Sequence, residues 1–210
     1  MLTDEEIVNR VIGGENHLYE SLIRKYNQRL YRISRSIVND DDEVEDIMQT
    51  TYLNAYLNLS TFKNKSTFGT WLTKILINES LLHKKRKIKL DKILVEKQDL
   101  NYSNETPLTG LMNNELKTIL EKSIATLPEK YRLVFVMREI EEMSTTETME
   151  TLNLTESNVK VRLTRAKEML RDVLSCHYKT SGVYDFHLTR CDKIANHVMT
   201  QINAIAHVKR

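Results

Sequence analysis

Residues 127–171 read LPEKYRLVFVMREIEEMSTTETMETLNLTESNVKVRLTRAKEMLR, and the rest of the chain is interpreted from this stretch. Leu127-Pro128-Glu129 closes one helix and opens another, with Pro128 at a first-turn position where its missing N–H costs nothing. Asn153 interrupts the run after Leu152, and asparagine tolerates the left-handed conformation that ends a helix. Thr155 can cap the next helix, with Asn158 three residues on, where Glu or Gln would complete a capping box. At about 100° per residue, Val159, Leu163, Ala166 and Leu170 form one apolar stripe. Ser157, Val161, Thr164, Arg165 and Glu168 fall opposite, with Lys160 and Arg162 on the flanks. The spacing predicts a helix-turn-helix whose second helix turns small polar groups and cations outward. A helix entering the major groove needs those groups: Arg can fork onto a guanine edge or a phosphate, and Lys acts as a point charge on phosphate. The competing reading of this segment is a solvated basic helix in an ordinary bundle.

Composition supports a helical chain. Five Gly and two Pro in 210 residues, with long runs of helix formers, point to an all-α fold, and a 40% hydrophobic share suffices for real cores. The net charge is only +2, so any nucleic-acid surface must arise by segregation of charge. That segregation is present. Asp40, Asp41, Asp42, Glu43, Glu45 and Asp46 crowd one helix start, whereas Lys84, Lys85, Arg86, Lys87 and Lys89 form a basic run. No apolar run reaches the ~20 residues that span a bilayer. The acidic, amphipathic start MLTDEEIVNR is unlike a signal peptide. Cys176 and Cys191 do not make a disulfide framework. A cytoplasmic protein without membrane insertion is the expectation.

The periodicity predicts two compact helical bodies on a flexible tether. In residues 1–89, Leu18, Leu22, Ile23, Tyr26, Leu30, Ile33 and Ile37 recur at three- and four-residue steps. A second helix is predicted from about Asp42 to Leu57, with an apolar stripe of Val44, Ile47, Met48, Leu53 and Tyr56. A third runs from about Ser66 to Lys89, after a short loop at 60–66. Residues 90–111 lose periodicity and hold Pro107 and Gly110. As a linker these reach at most ~75 Å when extended. The second body spans 112–175, and a tail, helical over 184–206, occupies 176–210.

Two further segments carry candidate chemistry. In Ser66–Lys89, Trp71, Ile75, Asn78 and Leu82 share one face ahead of the basic run, with Phe62 and Phe68 beside the preceding loop. Rings stack on unstacked bases and cations track phosphates. Against this, a Trp at helical spacing often belongs to a core, and terminal cations often answer the helix dipole. The acidic helix start could in principle bind Mg²⁺ for a nuclease, but its carboxylates sit on neighbouring positions rather than converging, and no partner acid motif follows. It reads either as a solvated helix start or as a protein-docking face. In the tail, His187 and Cys191 stand at i, i+4, a spacing open to a soft metal, but no paired motif completes a site. No P-loop, nucleophile elbow, dinucleotide fingerprint or zinc-protease motif occurs. No enzyme activity, cofactor or metal is expected.

Taken in order, these pieces resemble a bacterial RNA polymerase sigma factor of the sigma-70 family, in the small two-domain extracytoplasmic-function (ECF) group. The resemblance covers roughly residues 15–175. Asp42-Glu43-Val44-Glu45-Asp46-Ile47-Met48-Gln49, followed by Tyr52-Leu53-Asn54-Ala55-Tyr56, is similar to the core-polymerase-binding helix of region 2. Phe68-Gly69-Thr70-Trp71-Leu72, with Ile75, Asn78 and the basic run, is similar to the promoter-melting helix. Leu127-Pro128-Glu129-Lys130-Tyr131-Arg132 through Ala166 is similar to region 4.

The resemblance implies a division of roles. Asp42, Glu45, Asp46, Ile47, Gln49 and Tyr52 would dock on the clamp helices of the polymerase's largest subunit. Region 4 would sit at the flap of the second-largest. Phe62, Lys63, Lys65, Ser66, Trp71, Lys74, Asn78, Lys84, Lys85 and Arg86 would open the −10 element and hold a flipped base. Such flipping costs a few kcal/mol of unstacking. Ser157, Asn158, Lys160, Val161, Arg162, Thr164 and Arg165 would read the −35 element. An anti-sigma partner, and placement at the nucleoid through polymerase, follow from the family. Thr148 and Thr151 stand where the family has aliphatic residues, Met149 where it has a small Ala, and Glu142 and Asn153 where it has glycines. The rival reading, a helix-turn-helix regulator that never joins polymerase, uses only residues 112–175. It leaves the acidic helix and the tryptophan helix unexplained.

Overall fold

Thr3 starts the first helix, α1 (Asp4–Ile12), through a reciprocal capping box with Glu6. The Asp4 carboxylate then accepts from the Tyr26 hydroxyl at 2.5 Å and from Lys25 at 2.6 Å, which ties α1 to α2 (Tyr19–Arg35). In α2 the expected stripe is buried: Leu22, Tyr26, Leu30 and Ile33 face inward, joined by Tyr19. Asp40 caps α3 (Asp41–Leu57) by accepting the Glu43 N–H at 3.1 Å. Three acids in the first turn of α3 meet the positive end of its dipole.

The inward face of α3 is Val44, Ile47, Thr51, Tyr52 and Ala55. Leu53, read from the sequence as part of the stripe, is instead 65% exposed. Nine residues at about 100° each carry it to the side opposite Val44. Thr51 takes an inward place, and its hydroxyl is satisfied by the Ile47 carbonyl at 2.8 Å.

α4 (Phe68–Val95) is a 28-residue helix that packs along α3 and α2. Phe68, Leu72, Leu76 and Ile77 form its buried side. The helix continues past Lys89, so residues 90–95 of the expected linker are helical. Gly69 is required where α4 begins: a Cβ there would lie 2.6 Å from the Tyr26 ring.

The structure, a computed structural model, describes residues 2–95, 113–180, 193–194 and 196–199, and no strand occurs among them. The remainder of the predicted linker therefore lies outside the described residues. So do the side chains of Cys176, His177, His187, Cys191 and His207. Of the tail helix expected over 184–206, the described residues 193–194 and 196–199 are helical. The chain divides into two units, residues 1–171 and residues 172–210.

The helix-turn-helix region, termed the reading unit after the role expected of it, follows the punctuation of its sequence. α5 (Asn113–Thr126) ends before Leu127, and Pro128 occupies the N-cap of α6 (Glu129–Phe135). A widened π turn, Val136–Ile140, closes with the Glu141 N–H on the Val136 carbonyl at 2.9 Å. Ser144 and Glu147 form a capping box that opens α7 (Thr145–Leu152), and α7 ends at Asn153 in the left-handed conformation, φ 52°. Thr155 then accepts the Asn158 N–H at 3.3 Å as α8 (Glu156–Thr180) begins. Glu142 also holds φ 53°, the conformation that the glycine typical of the family would adopt without strain.

Residues 1–89 and 112–171 of the two expected bodies fall within the unit 1–171, where α7 packs on α4. Complementary polar groups hold them together. Glu141, with a side chain only 7% exposed, pairs with Arg32 at 3.0 Å and Arg29 at 3.7 Å. Arg132 Nε donates to the Ser36 carbonyl at 2.7 Å, and the Thr70 hydroxyl donates to Glu147 at 3.0 Å. Lys84 pairs with Glu129. Apolar contact contributes as well, since one continuous cluster of buried side chains includes residues of both bodies.

Candidate nucleic-acid and partner interfaces

Three surfaces carry the residues singled out from the sequence. The first is a groove between α2 and α3 of about 390 Å³, lined by Ile23, Asn27, Gln28, Tyr31, Glu45, Met48, Gln49 and Tyr52. Glu45, Gln49 and Tyr52 were expected at a docking face. Asp42 and Asp46 are exposed on the same helix outside the lining. Ile47 is corrected: at 3% exposed it belongs to the core and supports the face from beneath. Tyr52 is buried too, with its hydroxyl on the Ile23 carbonyl (3.1 Å) and Asn27 (3.0 Å), so it shapes the groove floor. Burial pushes its phenol well above the usual tyrosine value. The α2 wall is only partly signalled by the sequence: Ile23 belongs to the apolar stripe, and Asn27 and Tyr31 follow it at four-residue steps.

The acids at the α3 start do not converge. Asp40 caps the helix, Asp41 pairs with Arg35 at 2.8 Å, and Glu43 pairs with Lys87 at 2.5 Å. Among the described residues no group of three His, Cys, Asp or Glu side chains could hold a metal.

The second surface is an aromatic cluster at the α4 start. The Phe62 ring lies 5.4 Å from Trp71 and 5.7 Å from Phe68, and Phe68 lies 5.7 Å from both Trp71 and Tyr26. Phe68 is buried, whereas Phe62 and Trp71 are half-buried, so the core holds one edge of the cluster and leaves the other to solvent. Lys63 and Lys65 are exposed beside it, Ser66 is half-buried, and Asn64 turns the loop at φ 53°. Lys74 and Asn78 are exposed further along α4. The basic run divides. Lys84 is taken up by Glu129 and Lys87 by Glu43, while Lys85, Arg86 and Lys89 are exposed. Lys84, expected at the −10 strand, thus has an ion-pair partner within the chain.

The third surface is the outward face of α8. Ser157, Asn158, Lys160, Val161, Thr164 and Arg165 are exposed and Arg162 is half-buried, while Val159, Ala166 and Leu170 are buried as expected. Lys160 pairs with Glu156 at 2.6 Å one turn away. Arg165 donates to the Tyr131 hydroxyl at 3.2 Å, which holds the phenol below its usual value. Thr148 and Thr151, out of place for an apolar helix face, are buried, and their hydroxyls are satisfied by the carbonyls four residues back, at 2.9 and 2.7 Å.

Comparison with known proteins agrees with this layout. Sigma-70 region 2 matches residues 22–88, and Sigma-70 region 4 matches residues 117–170. The chain belongs to the sigma-70 family of RNA polymerase sigma factors, in its ECF group. It is 28% identical over 176 residues to the ECF RNA polymerase sigma factor SigW of Bacillus subtilis, covering 80% of this chain and 94% of that one. It is 28% identical over 181 residues to the ECF RNA polymerase sigma-E factor of Haemophilus influenzae, covering 81% and 95%. Two solved structures share the fold. The sigma factor RpoE of Bartonella quintana, in complex with the anti-sigma factor NepR, has a TM-score of 0.63 at 17% identity, covering 75% of this chain and 96% of that one. CnrH in complex with the cytosolic domain of CnrY has a TM-score of 0.59 at 20% identity, covering 81% and 96%.

Proposed function

We propose that this chain is an alternative sigma factor that joins core RNA polymerase and directs promoter-specific initiation. The observation that carries the reading is one succession in a single chain: a groove between α2 and α3 with Glu45 and Gln49 in its lining, an aromatic and basic α4, and a helix-turn-helix with a cationic outer face. The groove at Glu45, Gln49 and Tyr52, flanked by Asp42 and Asp46, takes the clamp helices of the largest subunit. Phe62, Trp71, Asn78 and the exposed cations Lys63, Lys65, Lys74, Lys85 and Arg86 receive the opened −10 strand. The α8 face from Ser157 to Arg165 reads the −35 element, with region 4 at the polymerase flap. The chain supplies no bond-making chemistry; it supplies placement and strand separation.

The packing of α7 on α4 bears on this role, because Thr70 and Thr67 at the α4 start face Glu147 of α7. An anti-sigma partner is in keeping with the complex of one protein of this fold, RpoE of Bartonella quintana, with the anti-sigma factor NepR. A cytoplasmic site, at the nucleoid through polymerase, follows from the role. Among the described residues no helix is long and apolar enough to cross a membrane.

Transcription in vitro with core polymerase on a genomic promoter library tests the proposal. Specific initiation should appear only when the chain is added, and the chain should displace the housekeeping factor from core enzyme. A protein that binds DNA but never co-purifies with core polymerase would instead be the independent regulator.

A further inference from the structure

The Arg165 side chain lies on the outward face of α8, where a long cation is free to sample many rotamers, at ~2 kcal/mol of entropy to fix. It is not left to sample. Its Nη1 donates to the hydroxyl of Tyr131 at 3.2 Å. Tyr131 sits in the first turn of α6 and is only 7% exposed, so its ring is packed and its hydroxyl is a fixed point at the surface of the reading unit. Lys130 Nζ stands 4.9 Å from the centroid of the same ring, and the positive charge is held on the ring's face. Both partners lie within residues 117–170, so the contact is internal to region 4. It does not depend on the packing of α7 against α4.

We infer that Tyr131 is a positioning residue for −35 recognition: its hydroxyl holds the Arg165 guanidinium where it meets the base edge. The inference rests on the proposed role of Arg165 in groove reading. The chemistry suits it. A guanidinium has five N–H donors in a rigid fork, so one Nη bound to the phenol leaves donors on Nε and the other Nη for a guanine edge. A neutral phenol accepts the bond without cancelling the positive charge, which a carboxylate in its place would do. A tether of this kind raises discrimination rather than general attraction, because the phosphate field acts on the cation wherever the side chain points, while a base edge rewards one geometry.

The test uses the full chain assembled with core polymerase and a promoter fragment substituted in turn at every −35 position. Four proteins are compared: wild type, Tyr131→Phe, Arg165→Ala and the double variant. Tyr131→Phe keeps the ring, so thermal unfolding should match wild type. Arg165→Ala should relax preference at one position, and Tyr131→Phe should relax the same position by roughly 3- to 10-fold, the net worth of one ordinary hydrogen bond at a solvent-exposed guanidinium, with affinity for scrambled DNA unchanged. In the double variant Tyr131→Phe should add nothing. If Arg165→Ala relaxes a position and Tyr131→Phe does not, the tether is wrong while groove reading by Arg165 stands. A uniform loss on every sequence from Tyr131→Phe assigns it a packing role and overturns the inference. An inert Arg165→Ala removes the role of Arg165 itself, and the inference falls with it.

Discussion

Removing the charge of Glu141 should loosen the grip between the two regions. The carboxylate accepts from Arg32 at 3.0 Å and stands 3.7 Å from Arg29, and its side chain is 7% exposed against 46% and 30% for the arginines. At an effective dielectric of about 20, each pair is worth about 4 kcal/mol of gross attraction at such distances. Most of that is offset by stripping water from the carboxylate. The arginines, being partly wet, recover hydration when the partner is lost, so the penalty stays below that of breaking a fully buried pair. Glu141→Gln should therefore cost about 1–3 kcal/mol, and its coupling to Arg32→Ala in a double-mutant cycle should be about 1 kcal/mol. Urea unfolding of the four proteins gives the coupling. A fluorescent pair on α2 and α7 should report a longer mean separation in Glu141→Gln. The coupling should shrink in high salt, which screens partly exposed charges. A coupling below ~0.3 kcal/mol, inside the usual error of additivity, with an unchanged separation would refute the reasoning.

Gly69→Ala should gain up to ~1 kcal/mol of helix propensity but lose about 1–3 kcal/mol to the clash with Tyr26, whose ring cannot retreat without straining the Asp4 hydrogen bond. A lower urea midpoint is expected, and an equal or higher one contradicts the close packing. Glu142→Gly relieves a residue at φ 53° and should raise the melting temperature by about 1–3 °C, the relief outweighing the entropy glycine adds to the unfolded chain; a fall would show the turn to be unstrained. For Glu147, burial pushes the carboxyl up. The Ser144 N–H and hydroxyl, then the Thr70 hydroxyl and Arg29, more than reverse this and hold it below its ordinary 4.5. A carboxyl that titrates lower in the folded chain stabilises it fully above the unfolded value and stops doing so as pH falls through the folded one. The stability difference between wild type and Glu147→Gln should therefore narrow as pH falls below 4.5, and a widening difference would reverse the sign.

The reading unit was legible because its signals are local. Pro128, Asn153 and Thr155 each act on backbone within four residues, and all three mark the boundaries their chemistry predicts. Ser144 and Glu147 form an equally local signal, a capping box. Leu53 departs from the expected α3 stripe because its angle, not its apolarity, sets its face, and the buried Thr51 fills the inward place instead. The packing of the two regions was not legible at all. Arg32 and Glu141 are 109 residues apart, and no periodicity relates them. The groove wall on α2 was half visible: its row of Ile23, Asn27 and Tyr31 could be counted, but only the fold sets it opposite Gln49.

The length of α4 has a metric consequence. Its 28 residues make a rod of about 42 Å, and Trp71 and Arg86 stand about 22 Å apart along it. A stacked strand rising ~3.4 Å per nucleotide would cover that interval in about six or seven nucleotides. A continuous helix neither stretches nor shortens, so the proposed roles of Trp71 and Arg86 on one strand would make α4 a fixed ruler between them. Under those proposed roles, a promoter with one nucleotide inserted into that interval would have to buckle to satisfy both ends.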